Sequence, residues 1–328
     1  MPAAIHTRAS DPFDGLTVLE RGWLSSNNLL IHPARGEAGA LLVDASHANH
    51  AAQTLALVRQ ALAAAGEAPL AGIVNTHLHS DHCGGNATLQ AAFGAPLRIP
   101  PGQAETVRAW FDSRPPVGAD GVGRSWDGTG QRLMPFCHDG VLTPGEPLVA
   151  GGREWQVLPA PGHDPDSVML FDAASGVLVS ADALWEHGFG VVFPEIEGEP
   201  GFDDVGAVLD QIAALPVRWV LPGHGAPFSD VAGALGRARS RLAGFQADPS
   251  RHARHAMKVL LKYHLMEERS QPVEALLDWA EDTPLLRGAW ALNPPRGVPS
   301  ARAWLRALLE ELAAAGALRA DGDTVHDC

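Results

Sequence analysis

A chain of 328 residues, 46% apolar, carries 24 basic against 38 acidic side chains; it can bury a core without covalent staples, and its net charge of −14 repels polyanions as a whole. Its three cysteines, Cys83, Cys137 and Cys328, lie far apart with no CxxC spacing, which argues against a disulfide scaffold. No apolar run reaches the roughly 20 residues of a membrane helix, and the first residues, MPAAIHTRASDPFDG, contain no apolar signal core, so the expectation is a cytoplasmic protein with no membrane partner.

Taken in chain order, LTVLERGWL (16–24), NNLLIHP (27–33) and GALLVDAS (39–46) read as strands, and AAQTLALVRQALAAAG (51–66) as a helix ended by Gly66. GIVNT (72–76) is the next strand and NATLQAAFG (86–94) the next helix. Residues 100–150 are rich in Pro and Gly and hold Trp110, Phe111, Trp126 and Phe136 without a clear period, which suggests a lid or binding loop. Strand patterns resume with REWQVLPAPGH (153–163), SVMLFDAAS (167–175) and GVLVSADAL (176–184); a helix over 202–215 and the strand RWVLPGHG (218–225) follow. Residues 1–230 carry 11 basic and 26 acidic side chains, against 13 and 12 from 231 on, where the pattern turns helical. A boundary near 235 is therefore expected, with units at 1–235 and 236–328. In the second unit, helices are expected over 251–268, over 271–281 capped by Ser270, and over 301–316 capped by Ser300, and the DG turn in ALRADGDTVHD marks a hairpin. Three helices and a hairpin outline a winged helix.

The chemistry concentrates in THLHSDHCGG (76–85). His77 and His79 project to one side of an extended strand end and can converge on one ion, while Asp81 and His82, past the turn, can face a second. Imidazole with carboxylate suits zinc, and also iron or manganese. Further candidate ligands close apolar runs downstream: His163 in PGHDPDS, Asp182 in SADAL and His224 in LPGHG.

In this order the positions resemble the metallo-β-lactamase fold superfamily across about residues 15–230. The resemblance implies an α+β fold, an αββα sandwich with a two-metal site at its loop ends, followed by a small, mainly helical winged-helix-like unit. It implies that His77, His79 and His163 hold one ion, that Asp81, His82 and His224 hold the other, and that Asp182 bridges them. Asp44, at the end of an early strand, is expected to support the ligands from behind. The cofactors implied are two divalent ions, zinc first, with iron or manganese as alternatives. The chemistry implied is hydrolysis by hydroxide formed between the ions, with Asp81 and Asp182 as catalytic carboxylates. His187 and His138 are candidate proton donors to the leaving group.

Among the family's reactions, β-lactam cleavage is disfavoured because Asp182 fills a position that true β-lactamases usually lack. GHGAPF at the last histidine differs from the GHEYT-like stretch of glyoxalase II, and the single tyrosine, Tyr263, lies in the helical part, away from where lactonases place theirs. The tRNA-processing and flavoprotein branches lack their extra features here. The branch with a C-terminal winged helix is the nearest match; Asp166 departs from its commoner GHTPGS motif.

The expected substrate is a thioester or other small ester, acyl-coenzyme A included. Trp185, His187, Phe189 and Phe193 would sit near it, and Arg254 and Lys258, in the basic stretch 237–262, would seat its anionic part. The alternative is a single-strand RNA endonuclease or phosphodiesterase whose winged helix binds nucleic acid, which the net charge disfavours. The helical unit would otherwise be a pocket wall or a homodimer contact. Cys83 reads as a packing residue.

Overall fold

The computed structural model describes residues 12–118 and 121–328. In chain order the first part holds β1 (Leu16–Leu19), β2 (Asn28–Ile31), β3 (Ala40–Val43), α1 (Ala51–Ala64), β4 (Leu70–Val74), α2 (Ser80–Cys83), α3 (Asn86–Phe93), β5 (Leu97–Ile99) and α4 (Ala104–Asp112). Three short strands follow, β6 (Gly123–Arg124), β7 (Arg132–Leu133) and β8 (Gly140–Val141). Next come β9 (Pro147–Ala150), β10 (Arg153–Pro159), β11 (Val168–Asp172), β12 (Val177–Ala181), α5 (Phe193–Glu197), α6 (Phe202–Ala214) and β13 (Trp219–Pro222). The chain then turns helical: α7 (Val231–Ala247), α8 (Pro249–Glu268), β14 (Ser270–Pro272), α9 (Val273–Asp282), α10 (Pro284–Leu292) and α11 (Ala301–Ala314), closed by the hairpin β15 (Leu318–Asp321) and β16 (Thr324–Asp327).

A six-stranded sheet, β1-β2-β3-β4-β5-β8, faces a five-stranded one, β13-β12-β11-β10-β9. The central strands β2, β3, β11 and β12 are buried on both sides, while β9 and β10 expose alternate residues, and the period of two sorts each side chain into a layer. Leu29, Ile31, Leu41 and Val43 point inward and meet Val168, Leu170, Val177 and Val179 of the other sheet. The alternate residues Leu30 and Leu42 point outward onto Val58 and Leu62 of α1 and Leu89 of α3. On the far side Met169, Phe171 and Leu178 pack on Val208, Leu209 and Ile212 of α6 and on Leu235, Ala238 and Leu242 of α7. At about 1.5–3 kcal/mol per fully buried aliphatic side chain, these interlocked layers hold the α+β sandwich expected from the sequence.

Several expectations change in detail. Segment 100–150 is not a free loop: it carries α4 and a small hairpin, and Trp110, Trp126 and fully buried Phe136 pack on the outer core. Helix α7 runs through residue 235, and its buried face belongs to the sandwich core. Ser270 does not cap a helix; it starts β14, which pairs with β16, and α9 begins directly behind Pro272. The C-terminal part has an unforeseen helix, α10, with Pro284 in its first turn. Ser300 does cap α11, accepting from the Ala303 amide at 3.2 Å, and Gly322 turns the hairpin at φ 58°.

The helical part is fastened to the sandwich through a buried carboxylate. Glu267 on α8 lies 2.9 Å from His47 Nε2, accepts the Arg132 amide at 2.8 Å, and stands 3.7 Å from His264, while its own carbonyl accepts Asn49 Nδ2 at 2.8 Å. Burial alone would raise this carboxyl, but the His264 and His47 rings and the Arg132 amide hold it down to about 2, below its ordinary 4.5. A depressed value stabilises the fold above pH 4.5 and loses that stabilisation as pH falls toward 2. Glu267→Gln is therefore expected to flatten the acid limb of a urea-midpoint against pH profile in this window. A variant whose limb tracks the wild type would show that this carboxyl does not carry it.

Candidate metal centre

The opening histidine motif leaves the carboxyl end of β4, and the other candidate ligands leave the ends of strands in the facing sheet: His163 after β10, Asp182 after β12 and His224 after β13. The chain turns at α2 so that Asp81 and His82 face back. The double glycine of HCGG permits this turn to press on the loop after β3, since a Cβ on Gly85 would stand 2.1 Å from the Ala45 carbonyl oxygen. In PGHG, a Cβ on Gly223 would stand 2.2 Å from Asp182 Oδ1. The residue before Asp182, Ala181, takes φ 47°, and Asp44 and Ser46 take φ 60° and 64°, so non-glycine backbone strain clusters around the ligands.

Two sets of donors result. His77, His79 and His163 form one, and Asp81, His82, Asp182 and His224 the other; within each set the ligand atoms lie within 4.8 Å of one another. All seven residues are buried. Asp182 touches both sets: it lies 3.4 Å from His163 Nε2, 3.5 Å from His82 Nε2 and 3.8 Å from His224 Nε2. The Nε2 atoms of His77 and His82 are buried without a hydrogen-bond partner. Such orphans are costly unless something binds them, so the donor set fits divalent ions.

Electrostatics prepares His77, His163 and Asp81 for this, whereas His82, against its burial, is raised well above its ordinary value by the carboxylates of Asp44, Asp182 and Asp81. Burial, with the neighbouring rings, pushes His77 well below its ordinary value and His163 to about 4, leaving them neutral, the form that coordinates. Burial would raise Asp81, yet His82 and His224 hold it down to about 2, so it is a carboxylate. His82 is oriented by Asp44, whose Oδ2 lies 2.8 Å from His82 Nδ1 and also accepts Thr76 Oγ1 at 2.9 Å, while Oδ1 accepts the Thr76 amide at 2.8 Å. That fixes His82 Nε2 toward Asp81 and Asp182.

The other expected site residues divide. Trp185 stands at the mouth, donating Nε1 to Asp182 Oδ1 at 3.1 Å. Phe193 lies 4.6 Å from the His79 ring. Phe189 is buried in the sandwich core, and His187 extends into solvent beside Glu186. His138 is bound to the Ala104 carbonyl. Arg254 and Lys258 both hold Glu311, tying α8 to α11 instead of lining the centre. Cys83 is buried and free, as a packing residue would be.

Three neighbours were not anticipated. Trp23, 61% exposed, stacks on the His224 ring with centroids 5.3 Å apart and meets Trp185 at 5.6 Å. Asp164, buried, faces His79 Nε2 at 3.7 Å, and its Oδ1 accepts the Asp166 amide, which closes the unusual turn. Tyr263 is brought back from α8 to Ser80 Oγ at 3.3 Å, between His79 and Asp81, so its place in the sequence is no argument against lactone hydrolysis. An exposed Trp in a Gly-flanked turn and an acid directly after His163 were the only local signals. Tyr263 had none, because it arrives by tertiary packing.

The family model described as the metallo-beta-lactamase superfamily matches residues 21–224, more than half of the chain. The chain belongs to the metallo-beta-lactamase superfamily. As a metallo-beta-lactamase superfamily member it is similar to a metallo-hydrolase of Streptococcus pyogenes serotype M6, 30% identical over 48% of this chain and 66% of that one. It is also similar to the hydroxyacylglutathione hydrolase of Pseudomonas putida (strain W619), 30% identical over 45% of each chain. The matches thus span between about half and two thirds of the curated relatives. Among solved structures, a metallo-beta-lactamase family protein from Thermus thermophilus is 24% identical and superposes with a TM-score of 0.52 over 96% of this chain and 99% of that one. A beta-lactamase domain protein from Burkholderia ambifaria covers 95% of this chain and 90% of that one at 20% identity, TM-score 0.52. Both likenesses concern the fold, and their coverage extends it through the C-terminal helices.

Proposed function

We propose that this metallo-hydrolase cleaves a thioester or other small ester at a centre of two divalent ions, zinc first among the candidates. The observation that carries the reading is Asp182, whose carboxylate lies within 3.8 Å of histidines from both donor sets. His77, His79 and His163 would hold one ion, Asp81, His82 and His224 the other, with Asp182 between. Ions held there supply a nucleophile drawn from water near neutral pH and a Lewis acid for the scissile carbonyl. Asp81 and Asp182 offset the positive charge and orient the attacking group, while Asp44 keeps His82 aimed. Trp23, Trp185 and Phe193 surround the ligands with apolar surface, which excludes water and suits an acyl chain. The hydroxyacylglutathione hydrolases among the relatives support the thioester class.

The helical part is better read as a wall and a brace than as a nucleic-acid grip. On α11, Arg302 is held by Glu274, Asp278 and Glu281, and Arg306 by Glu274, so this helix offers few free cations to a phosphate backbone. We place the boundary between the two units at Asp248, after α7, since α7 shares the sandwich core.

Elemental analysis combined with a turnover screen tests the function. The expected outcome is about two ions per chain and hydrolysis of acyl thioesters, with lactones, phosphodiesters and single-stranded RNA turned over poorly. Metal-free protein, or RNA cleavage in place of thioester cleavage, would defeat the proposal.

A further inference from the structure

Helices α7 and α8 flank an open basic groove that shares no residue with the donor sets. Gly233, Gly236, Ser240 and Gly244 leave one face of α7 without bulk, and a space of about 940 Å³ beside it is lined by Arg237, Arg241, Phe245, Arg251 and His255. Arg237 donates Nε to the Glu186 carbonyl at 2.7 Å and shares Asp230 at 3.3 Å. Arg241 is half-buried between two rings, 5.6 Å from the centroid of Phe189 and 5.5 Å from that of Phe245. Its guanidinium lies 2.7 Å from His255 Nε2; because arginine can only donate, that nitrogen accepts and His255 is neutral there. Among the described residues neither Arg241 nor Arg251 has a carboxylate partner.

An unpaired, half-buried cation is costly, and in a chain of net charge −14 it is the more unusual for lacking an acid. The loop from Asp182 to Gly190 forms a wall common to groove and metal centre, since Trp185 bonds Asp182 while Glu186 and Phe189 touch the groove arginines. A single carboxylate would satisfy one of the two guanidiniums that lack an acid, Arg241 and Arg251, and fill little of the space. Several phosphates on a nucleotide-sized group would satisfy both through the paired donors that guanidinium offers phosphate, with Arg237, already held by Asp230 and the Glu186 carbonyl, at the edge of the groove.

We propose that the α7–α8 groove binds the phosphates of a nucleotide-bearing thiol, the leaving group of the thioester whose carbonyl sits at the metal centre. This rests on the thioester reading, so binding and turnover are measured separately. Calorimetry on the full, metal-loaded chain with adenosine 3′,5′-bisphosphate is expected to detect binding that weakens as salt is raised, and that drops about tenfold in each of the exposed variants Arg251→Glu and Arg237→Glu. No binding, or equal binding by both variants, overturns the proposal. In parallel, kcat/KM is compared for one acyl group on coenzyme A and on N-acetylcysteamine, which has no phosphate. The coenzyme A ester is expected to lose about tenfold in Arg251→Glu, since Arg251 makes no bond to the Asp182–Gly190 loop, with the cysteamine ester unchanged in that variant. Bisphosphate binding without turnover of either ester would remove the thioesterase reading and keep the anion site; equal turnover of both without bisphosphate binding would do the reverse. Binding of a single-stranded RNA of about 12 nucleotides, with none of the bisphosphate, would assign the groove to nucleic acid and overturn the proposal.

Discussion

Asp182→Asn is expected to lower kcat/KM toward a thioester by about a thousandfold, equivalent to about 4 kcal/mol, and to lower the metal content of the purified protein. This carboxylate lies against histidines of both donor sets, so an amide there removes negative charge from the two half-sites together. The amide keeps the side chain's shape and its contact with Trp185 Nε1, so the fold is expected to survive, and circular dichroism checks that it does. A variant that kept both ions and activity within about tenfold of the wild type would take Asp182 out of the centre.

The second large effect is expected from a residue that touches no ion in the proposed centre. Asp44→Asn keeps an oxygen for the Thr76 amide but offers His82 Nδ1 a donor where the native carboxylate accepts. His82 is then driven to carry its proton on Nε2, the atom aimed at Asp81 and Asp182, and that half-site loses a lone pair. Loss of about 10–100-fold in metal affinity and in activity follows, on the scale seen when such supporting groups are removed. Asn is among the residues best suited to the φ of 60° at this position, so backbone strain is not the cause being tested. Metal titration separates the cases: weaker binding of one ion with the other unchanged is the expected result, and two undisturbed ions would assign Asp44 to the fold alone.

The sandwich was legible because its strands are short, apolar and bounded by Gly or Pro, and because alternate residues serve different layers, as Leu29 and Leu30 do. The ligands were legible for a related reason: each ends an apolar run, where a strand must deliver it to the same rim. Residues whose role depends on tertiary approach were not. Tyr263 and Glu267 are ordinary positions of an amphipathic helix until α8 docks, when one reaches Ser80 and the other His47. The basic stretch misled in part for the same reason. The sequence shows seven cations in residues 237–262 but not that Glu311 takes Arg254 and Lys258, Asp230 takes Arg237, Asp210 takes Arg239 and Asp327 takes Lys262, leaving Arg241 and Arg251 as the unspent ones. Residues 100–150 looked formless because their order comes from Trp110, Trp126 and Phe136 packing on a core built elsewhere.

The left-handed turns at Asp44, Ser46 and Ala181 bear on how this chain can change over generations. Each such residue stores on the order of 1 kcal/mol or more, released by glycine, which accepts that backbone freely. Heat alone as a selective pressure would reward glycine at 46 and 181 and slacken the supports of the ligands. The apolar layers of the sandwich supply the stability against which this rim is held taut.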